Sequence, residues 1–387
     1  MELYDSILEQ AYNNREWVVV LNNWVREDDI DARIKGDDRV KISVFDEQTN
    51  NIGKIKKFAF WLGSGDVLVE VDHDDMLTPD CLEELHKAFQ DESIWFVYSD
   101  NAKLGKFTPY NKRHGRTHKK FEWQWKELIS MNSLPITPMN MWYIWFMADH
   151  VRAWRTTTYN EVGWHDESLM VLDDQDLIQR TFLQSKIKHI PKTLYIYRIR
   201  EDWGNTWLRR NKEIQQGTVG MYDKRIYQIA QRRADINWLR KIDLCWGINK
   251  QEGRESIDLE WADITADLNK KRPLEDGSVW VIRAHDALEH LKDKQHTMKE
   301  IHRVLAKGGI LLSMTPSTDG RWAFQDPTHV SFWNENSFWY WISHREQPRF
   351  IRNTDTLFRE SRLYTYFPSE YHKKHNISYV VTHLEKM

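Results

Sequence analysis

Short continuous apolar runs alternate with amphipathic stretches along the first half of the chain. Trp17-Val18-Val19-Val20-Leu21 has strand length and follows a helical stretch over residues 4–12. Residues 40–45 and 66–71 repeat the pattern, and β-branched runs that are apolar on both faces belong to buried strands. Thr78-Pro79 offers an N-cap and a first-turn proline, which predicts a helix starting there. Over residues 208–238 the strand signal stops, and Ile226, Ile229, Ala230 and Ile236 recur at helical spacing, as in a helical connector. A second alternation then begins, with strands predicted at 242–244, 255–259, 279–284 and 310–314. The helix expected over 295–305 places Met298, Ile301 and Leu305 on one face. It ends at Lys307-Gly308-Gly309, a cation near the negative end of the dipole beside a glycine that tolerates positive φ. Strands alternating with helices predict an α/β protein of two domains, residues 1–207 and 239–387.

Composition narrows this picture. A length of 387 residues suits two domains, since single cores rarely exceed ~250–300 residues. A net charge of −3 creates no field for nucleic acid or an anionic membrane. The longest apolar stretch, 134–148, carries Pro135 and Pro138 and is shorter than the ~20 residues a spanning helix needs. No integral membrane segment is therefore expected. The first residues are acidic, unlike a signal peptide, and Cys81 and Cys245 lie far apart without metal-ligand spacing, so a reducing cytoplasmic setting is expected. One feature stands out. The chain has 20 Trp and 16 Gly, whereas ordinary usage gives roughly 27 Gly for this length.

Two acidic clusters carry the first candidate chemistry. Asp72-His73-Asp74-Asp75 follows the strand at 66–71 directly. Carboxylates crowded at the end of a buried strand repel one another, and oxygen ligands of this kind suit Mg²⁺ or Mn²⁺, which also bridges a diphosphate. The bland alternative is a solvated acidic turn. Asp173-Asp174-Gln175-Asp176 precedes a helical segment, where acids are ordinary dipole partners. Both clusters inside one α/β domain are less ordinary than either alone.

These pieces resemble a family 2 glycosyltransferase of GT-A fold across residues 1–207. The matching segments are Glu16 to Asn23, Gly65 to Asp75, and Gly163-Trp164-His165-Asp166 followed by the second acidic cluster. The resemblance implies that Asp72 and Asp74 hold the nucleotide-sugar donor and a divalent metal on its diphosphate. It places Asn22 and Asn23 at the donor base. It makes Asp174, or failing that Asp173, the base that deprotonates the hydroxyl of a glycan or glycoconjugate acceptor in an inverting displacement. The family's first strand, which should precede the helix at 4–12, is missing.

The second half yields a different series. Lys241 to Lys250 reads as strand and turn, Ile257-Asp258 ends the next strand, and Asp263 and Asp267 follow. Pro273 to Val279, Asp286-Ala287-Leu288-Glu289-His290 and Glu300 to Gly309 complete it. In this order the phrases resemble a class I S-adenosylmethionine-dependent methyltransferase with a Rossmann-like domain over residues 239–387. The resemblance implies cofactor contacts from Asp243, Gly247, Asp258 (ribose), Asp267 (adenine) and Asp286. Asp326-Pro327-Thr328-His329 reads as an Asx-type turn with a structural histidine, or as an acceptor-positioning segment. A bifunctional sugar-transferring and methylating enzyme is the leading expectation, and a non-catalytic C-terminal binding or scaffold module is the alternative.

Trp246 occupies a position where that family has glycine. The same holds by resemblance at Trp24, Trp95, Trp164, Trp203, Trp280 and Trp322. Returning these seven to glycine brings the count from 16 to 23. Such an exchange arises if UGA encodes glycine in the source but is translated as tryptophan. The other explanation is a Trp-rich divergence with an inactive methyltransferase.

Overall fold

The computed structural model describes residues 2–107, 116–143, 147–200, 205–245 and 252–387. The chain is α/β and divides into two compact units, residues 1–136 with 140–225, and 137–139 with 226–387. The helix Asn211–Ile236 covers most of the expected connector, and the division falls inside it.

The first unit opens with the helix Glu2–Leu8, followed by β1 (Trp17–Leu21) and β2 (Val40–Val44). These pair in parallel, with Trp17 opposite Val40 and Leu21 opposite Val44. Asn51 caps the helix Ile52–Leu62, its side-chain oxygen accepting from the Lys54 amide at 2.9 Å. Then come β3 (Val67–Glu70), β4 (Met76–Leu77), β5 (Ile94–Leu104), β6 (His118–Trp123), β7 (Lys126–Met131), β8 (Arg152–Arg155) and β9 (Lys186–Arg198). They form one sheet in the order β3-β8-β5-β7-β6, with β9 parallel to β5 and β4 paired to β9. Phe96, Val97, Ala153, Leu194 and Tyr195 are fully enclosed at its centre.

Among the described residues the β1–β2 pair is not hydrogen-bonded to the larger sheet. A cavity of about 1350 Å³ is lined by both β1 and β3. The helix expected at Thr78 starts later, as Cys81–Phe89. The Cys81 amide donates to the Thr78 carbonyl and the Thr78 hydroxyl to Asp80, so Thr78-Pro79-Asp80 is a turn feeding the helix.

The second unit contains β10 (Arg240–Leu244), β11 (Glu255–Asp258), β12 (Ile264–Thr265), β13 (Val279–His285), β14 (Leu305–Pro316), β15 (Phe358–Tyr366) and β16 (Tyr379–Lys386). The sheet order is β12-β11-β10-β13-β14-β16-β15, parallel from β12 to β14 and antiparallel beyond. The helix Lys294–Val304 buries Met298, Ile301 and Val304 against Ile282 and Leu311. Gly308 takes the positive φ expected of it, +79°.

Among the described residues, five tryptophans adopt the left-handed conformation that favours glycine: Trp24 (φ 77°), Trp125 (66°), Trp164 (66°), Trp238 (54°) and Trp261 (61°). Trp24 and Trp164 belong to the seven expected glycine positions. Trp95, Trp280 and Trp322 do not show positive φ, and Trp203 and Trp246 lie outside the described residues.

Candidate active sites

The cavity of the first unit gathers both acidic clusters. Asp72 and Asp74 lie just past β3, and Asp173 and Asp174 open the helix Asp173–Gln184, all four lining the same space with Asn22 at the end of β1. The turn at 72–75 is held from below by β9. The Tyr195 hydroxyl donates to Asp75 at 2.8 Å and accepts from the Asp72 amide, while the Arg198 amide donates to Asp75 at 2.7 Å. Asp75 is thus buried as an anchor. Burial and the neighbouring Asp72 and Asp74 push its carboxyl well above the usual range. Asp72 and Asp74 stay partly open, at 34% and 22% side-chain exposure. Both carboxylates line the cavity, with His150 Nε2 3.9 Å from Asp72 and His73 Nδ1 3.9 Å and Arg200 3.7 Å from Asp74; it is the oxygens of Asp72 and Asp74 that suit a hard divalent cation.

Lys56 and Arg152 order the acids nearest the helix Asp173–Gln184. Lys56, from the helix Ile52–Leu62, is ion-paired to buried Glu70 and lies 3.4 Å from Asp72. Burial works against its charge, but Asp72, Glu70, Asp173 and Asp174 hold the ammonium well above its ordinary pKa. Arg152 of β8 donates to Asp174 at 2.7 Å and to the Ala148 carbonyl at 2.6 Å, with Glu70 at 3.7 Å. Burial raises Asp174, but Arg152 and Lys56 overcome it and leave this carboxylate below its usual pKa. Asp173 behaves oppositely, because burial and the adjacent Asp174 push it up to about 7. It is wedged against Gly53, where a Cβ would stand 2.7 Å from the Asp173 Cβ. Asp174 is 26% exposed against 9% for Asp173.

In the second unit, β11, β10 and β13 run parallel side by side, so Cys245, Asp258 and Asp286 emerge at one edge. Cys245 and Asp286 both have positive φ, 50° and 48°, which turns the chain sharply there. Asp258 accepts from the Leu259 amide at 2.7 Å, and Asp286 accepts from the Tyr379 hydroxyl. Asp267 closes an exposed turn, accepting from the Asn269 amide at 3.0 Å. Asp243 is fully buried with both oxygens 3.0 Å from Arg283. Gly247 and Trp246 lie outside the described residues.

Residues 2–149 match the family model of glycosyl transferase family 2, and residues 243–313 match that of a methyltransferase domain. The chain joins a glycosyltransferase domain to a methyltransferase domain. No curated protein matches it. Among solved structures, S. aureus TarS aligns at 14% identity and a TM-score of 0.44, over 61% of this chain and 40% of TarS. S. aureus TarS 1-349 in complex with UDP-GlcNAc aligns at 16% and 0.43, over 60% and 68%. A geranyl diphosphate methyltransferase in complex with GPP and sinefungin aligns at 12% and 0.28, over 38% and 71%. The chain thus spans less than half the length of full TarS.

Within the glycosyltransferase domain, the structure brings Asn22, Asp72, Asp74, Asp173 and Asp174 to one cavity. Asn23 is placed elsewhere, its amide spent on both backbone groups of Thr49 at 3.0 and 3.2 Å. Sequence reasoning missed Glu70, Lys56 and Arg152. Glu70 had a signal, since a carboxylate inside an apolar strand run needs a buried partner. Lys56 and Arg152 had none. In the methyltransferase domain, Asp243 serves the β10–β13 pair through Arg283, a role the motif did not announce. Among the described helices, none is long and apolar enough to cross a membrane.

Proposed function

We propose that this chain is a bifunctional carbohydrate-modifying enzyme. Its glycosyltransferase domain moves a sugar from a nucleotide-sugar to an acceptor hydroxyl with inversion. Its methyltransferase domain uses S-adenosylmethionine to methylate a sugar or glycan. The observation that carries the first reading is the convergence of Asp72, Asp74 and Asp174 on one cavity with Lys56 and Arg152 among them.

In this reading Asp72 and Asp74 hold the ribose and diphosphate end of the donor and would ligate Mn²⁺ or Mg²⁺. Bound there, such an ion supplies charge neutralisation for the departing diphosphate. Asp174 is the base: it is ionised at neutral pH, more exposed than Asp173, and oriented by Arg152. It takes the proton of the acceptor hydroxyl while the oxygen's electron pair attacks the anomeric carbon and the nucleoside diphosphate leaves with the bonding pair. Asp173, packed under Gly53, positions the start of the helix. Asp258, Asp267 and Asp286 stand at the edge where a Rossmann-like fold takes a nucleoside cofactor.

The test is turnover of nucleotide-sugars with Mn²⁺. Asp74→Asn and Asp174→Asn are each expected to lower kcat by ~10²–10⁴-fold. With Asp174 as base, activity persists below pH 7. If Asp173 were the base, activity would fall tenfold per pH unit below its value of about 7. A chain indifferent to Mn²⁺ and to both substitutions defeats the proposal. The buried Asp243–Arg283 pair favours a second reading, a non-catalytic module in place of the methyltransferase. Calorimetric binding of S-adenosylmethionine separates the two.

A further inference from the structure

The segment after β13 holds a group of side chains that neither acidic cluster uses. The short 3-10 turn Leu288–His290 carries Glu289 and His290, and His329 faces them from the loop that follows β14. One ligand atom from each residue lies within 4.8 Å of the other two. The two segments are tied together by backbone and side chain. The amides of Val330 and Ser331 both donate to the Glu289 carbonyl, at 2.8 and 2.9 Å, and the Ser331 hydroxyl donates to the Leu288 carbonyl at 2.8 Å.

Protonation of the two rings follows from their partners. His290 Nδ1 faces the Thr328 carbonyl at 3.2 Å, and His329 Nδ1 faces the Ala323 carbonyl at 3.1 Å. A carbonyl only accepts, so each neutral ring carries its proton on Nδ1 and keeps a lone pair on Nε2. Anchoring of this kind is what orients histidine ligands around a metal. The rings stand 5.1 Å apart at 71°. Asp326, exposed at the rim, approaches His329 Nε2 at 4.0 Å.

Glu289 supplies the independent observation. It is 2% exposed, and one carboxylate oxygen accepts from the Thr315 hydroxyl at 2.5 Å. The other, Oε1, is buried with no hydrogen-bond partner. A buried carboxylate oxygen left bare costs free energy unless something electropositive meets it.

We propose that Glu289, His290 and His329 form a divalent transition-metal site in the second unit. Two imidazole nitrogens and one carboxylate oxygen suit Zn²⁺, Fe²⁺ or Co²⁺ at bonds of ~2.0–2.2 Å. Three protein ligands leave coordination positions for oxygen ligands from outside, such as neighbouring hydroxyls of a sugar. That last role rests on the methyltransferase reading, whereas the metal site does not.

The test uses the full chain carrying Asp72→Asn and Asp74→Asn, so that the first cavity is disabled. Titration with Co²⁺ is expected to give one equivalent of binding with visible absorption bands of a nitrogen-ligated ion, displaced by Zn²⁺. His290→Gln with His329→Gln should abolish the bands. A second measurement needs no substitution at the site: in the native chain, Zn²⁺ should protect His290 from acylation by diethyl pyrocarbonate, read by peptide mass spectrometry. Absence of the bands, their survival in the double variant, or equal acylation of His290 with and without Zn²⁺ overturns the site. Binding of S-adenosylmethionine is measured separately on the same chain. Co²⁺ binding without it keeps the metal site and removes the methylation reading.

Discussion

Two tryptophans show how far a single residue departs from its surroundings. Trp333 is completely buried, and its indole N–H donates to Ser331 at 2.9 Å and to Leu288 at 3.2 Å. Trp125 is fully exposed and takes φ 66°. With Gln124 at φ 43° it forms a two-residue hairpin between paired Trp123 and Lys126, and positive φ at both loop positions is what Asn-Gly or Asp-Gly normally provides. Asn23-Trp24 also has positive φ at both positions, in a turn closed by the Val25 amide on the Asn22 carbonyl. Trp238 sits just beyond the helix Asn211–Ile236, where the Leu239 amide donates to Ala234 and the Trp238 amide to Asp235, a Schellman ending that favours glycine. Trp125→Gly and Trp238→Gly are each expected to stabilise the chain by about 1 kcal/mol, read from urea midpoints, because a left-handed L-residue costs ~1–2 kcal/mol. In the coding DNA, UGA is expected at Trp24, Trp125, Trp164, Trp238 and Trp261, and UGG at Trp17 and Trp333. UGG at all five ends the recoding explanation.

Asp173 makes a residue-scale prediction of another kind. Its folded value of about 7 lies above the ~3.9 of an unfolded aspartate. The folded chain therefore binds more protons between these values, and stability falls as pH rises through them. Asp173→Asn is expected to raise the thermal midpoint most at pH 8, with the gain shrinking from pH 7 towards 4. A gain independent of pH would refute the assignment.

At the scale of elements, the helix Ile52–Leu62 is pressed against the start of the helix Asp173–Gln184. Gly53→Ala puts a Cβ 2.7 Å from the Asp173 Cβ and 3.0 Å from its carboxylate. It is expected to cost ~10²-fold in sugar transfer through displaced acids, measured as kcat/KM. Gly220→Ala, with nothing near the added Cβ, is the matched control and should gain ~1 kcal/mol of helix stability without touching the rate.

The elements were largely legible because their apolar runs are long and uninterrupted: β1, β3 and β10 lie where periodicity placed them. Thr78 misled because its hydroxyl is engaged by Asp80, so the cap forms a turn instead. In the sites, acids following strands were visible as motifs. Arg152 and Lys56 were not, since a lone cation reveals its partners only once distant segments meet. Likewise Gln124-Trp125 hid a hairpin, because tryptophan carries none of the turn signal of glycine.

On the scale of the whole molecule, the two units hold their sheets differently. The second unit's sheet is continuous across seven strands, with Ile242, Val281, Ile282 and Leu311 sealed inside. In the first unit the β1–β2 ribbon and the larger sheet are separate, with a cavity lined by β1 and β3. Each of these strands has hydrogen-bonded neighbours on one flank only among the described residues. Alternate amides of Trp17–Leu21 and Val67–Glu70 are left to solvent, so deuterium should enter them within the earliest labelling times while the amides of β5, clasped on both flanks, stay protonated.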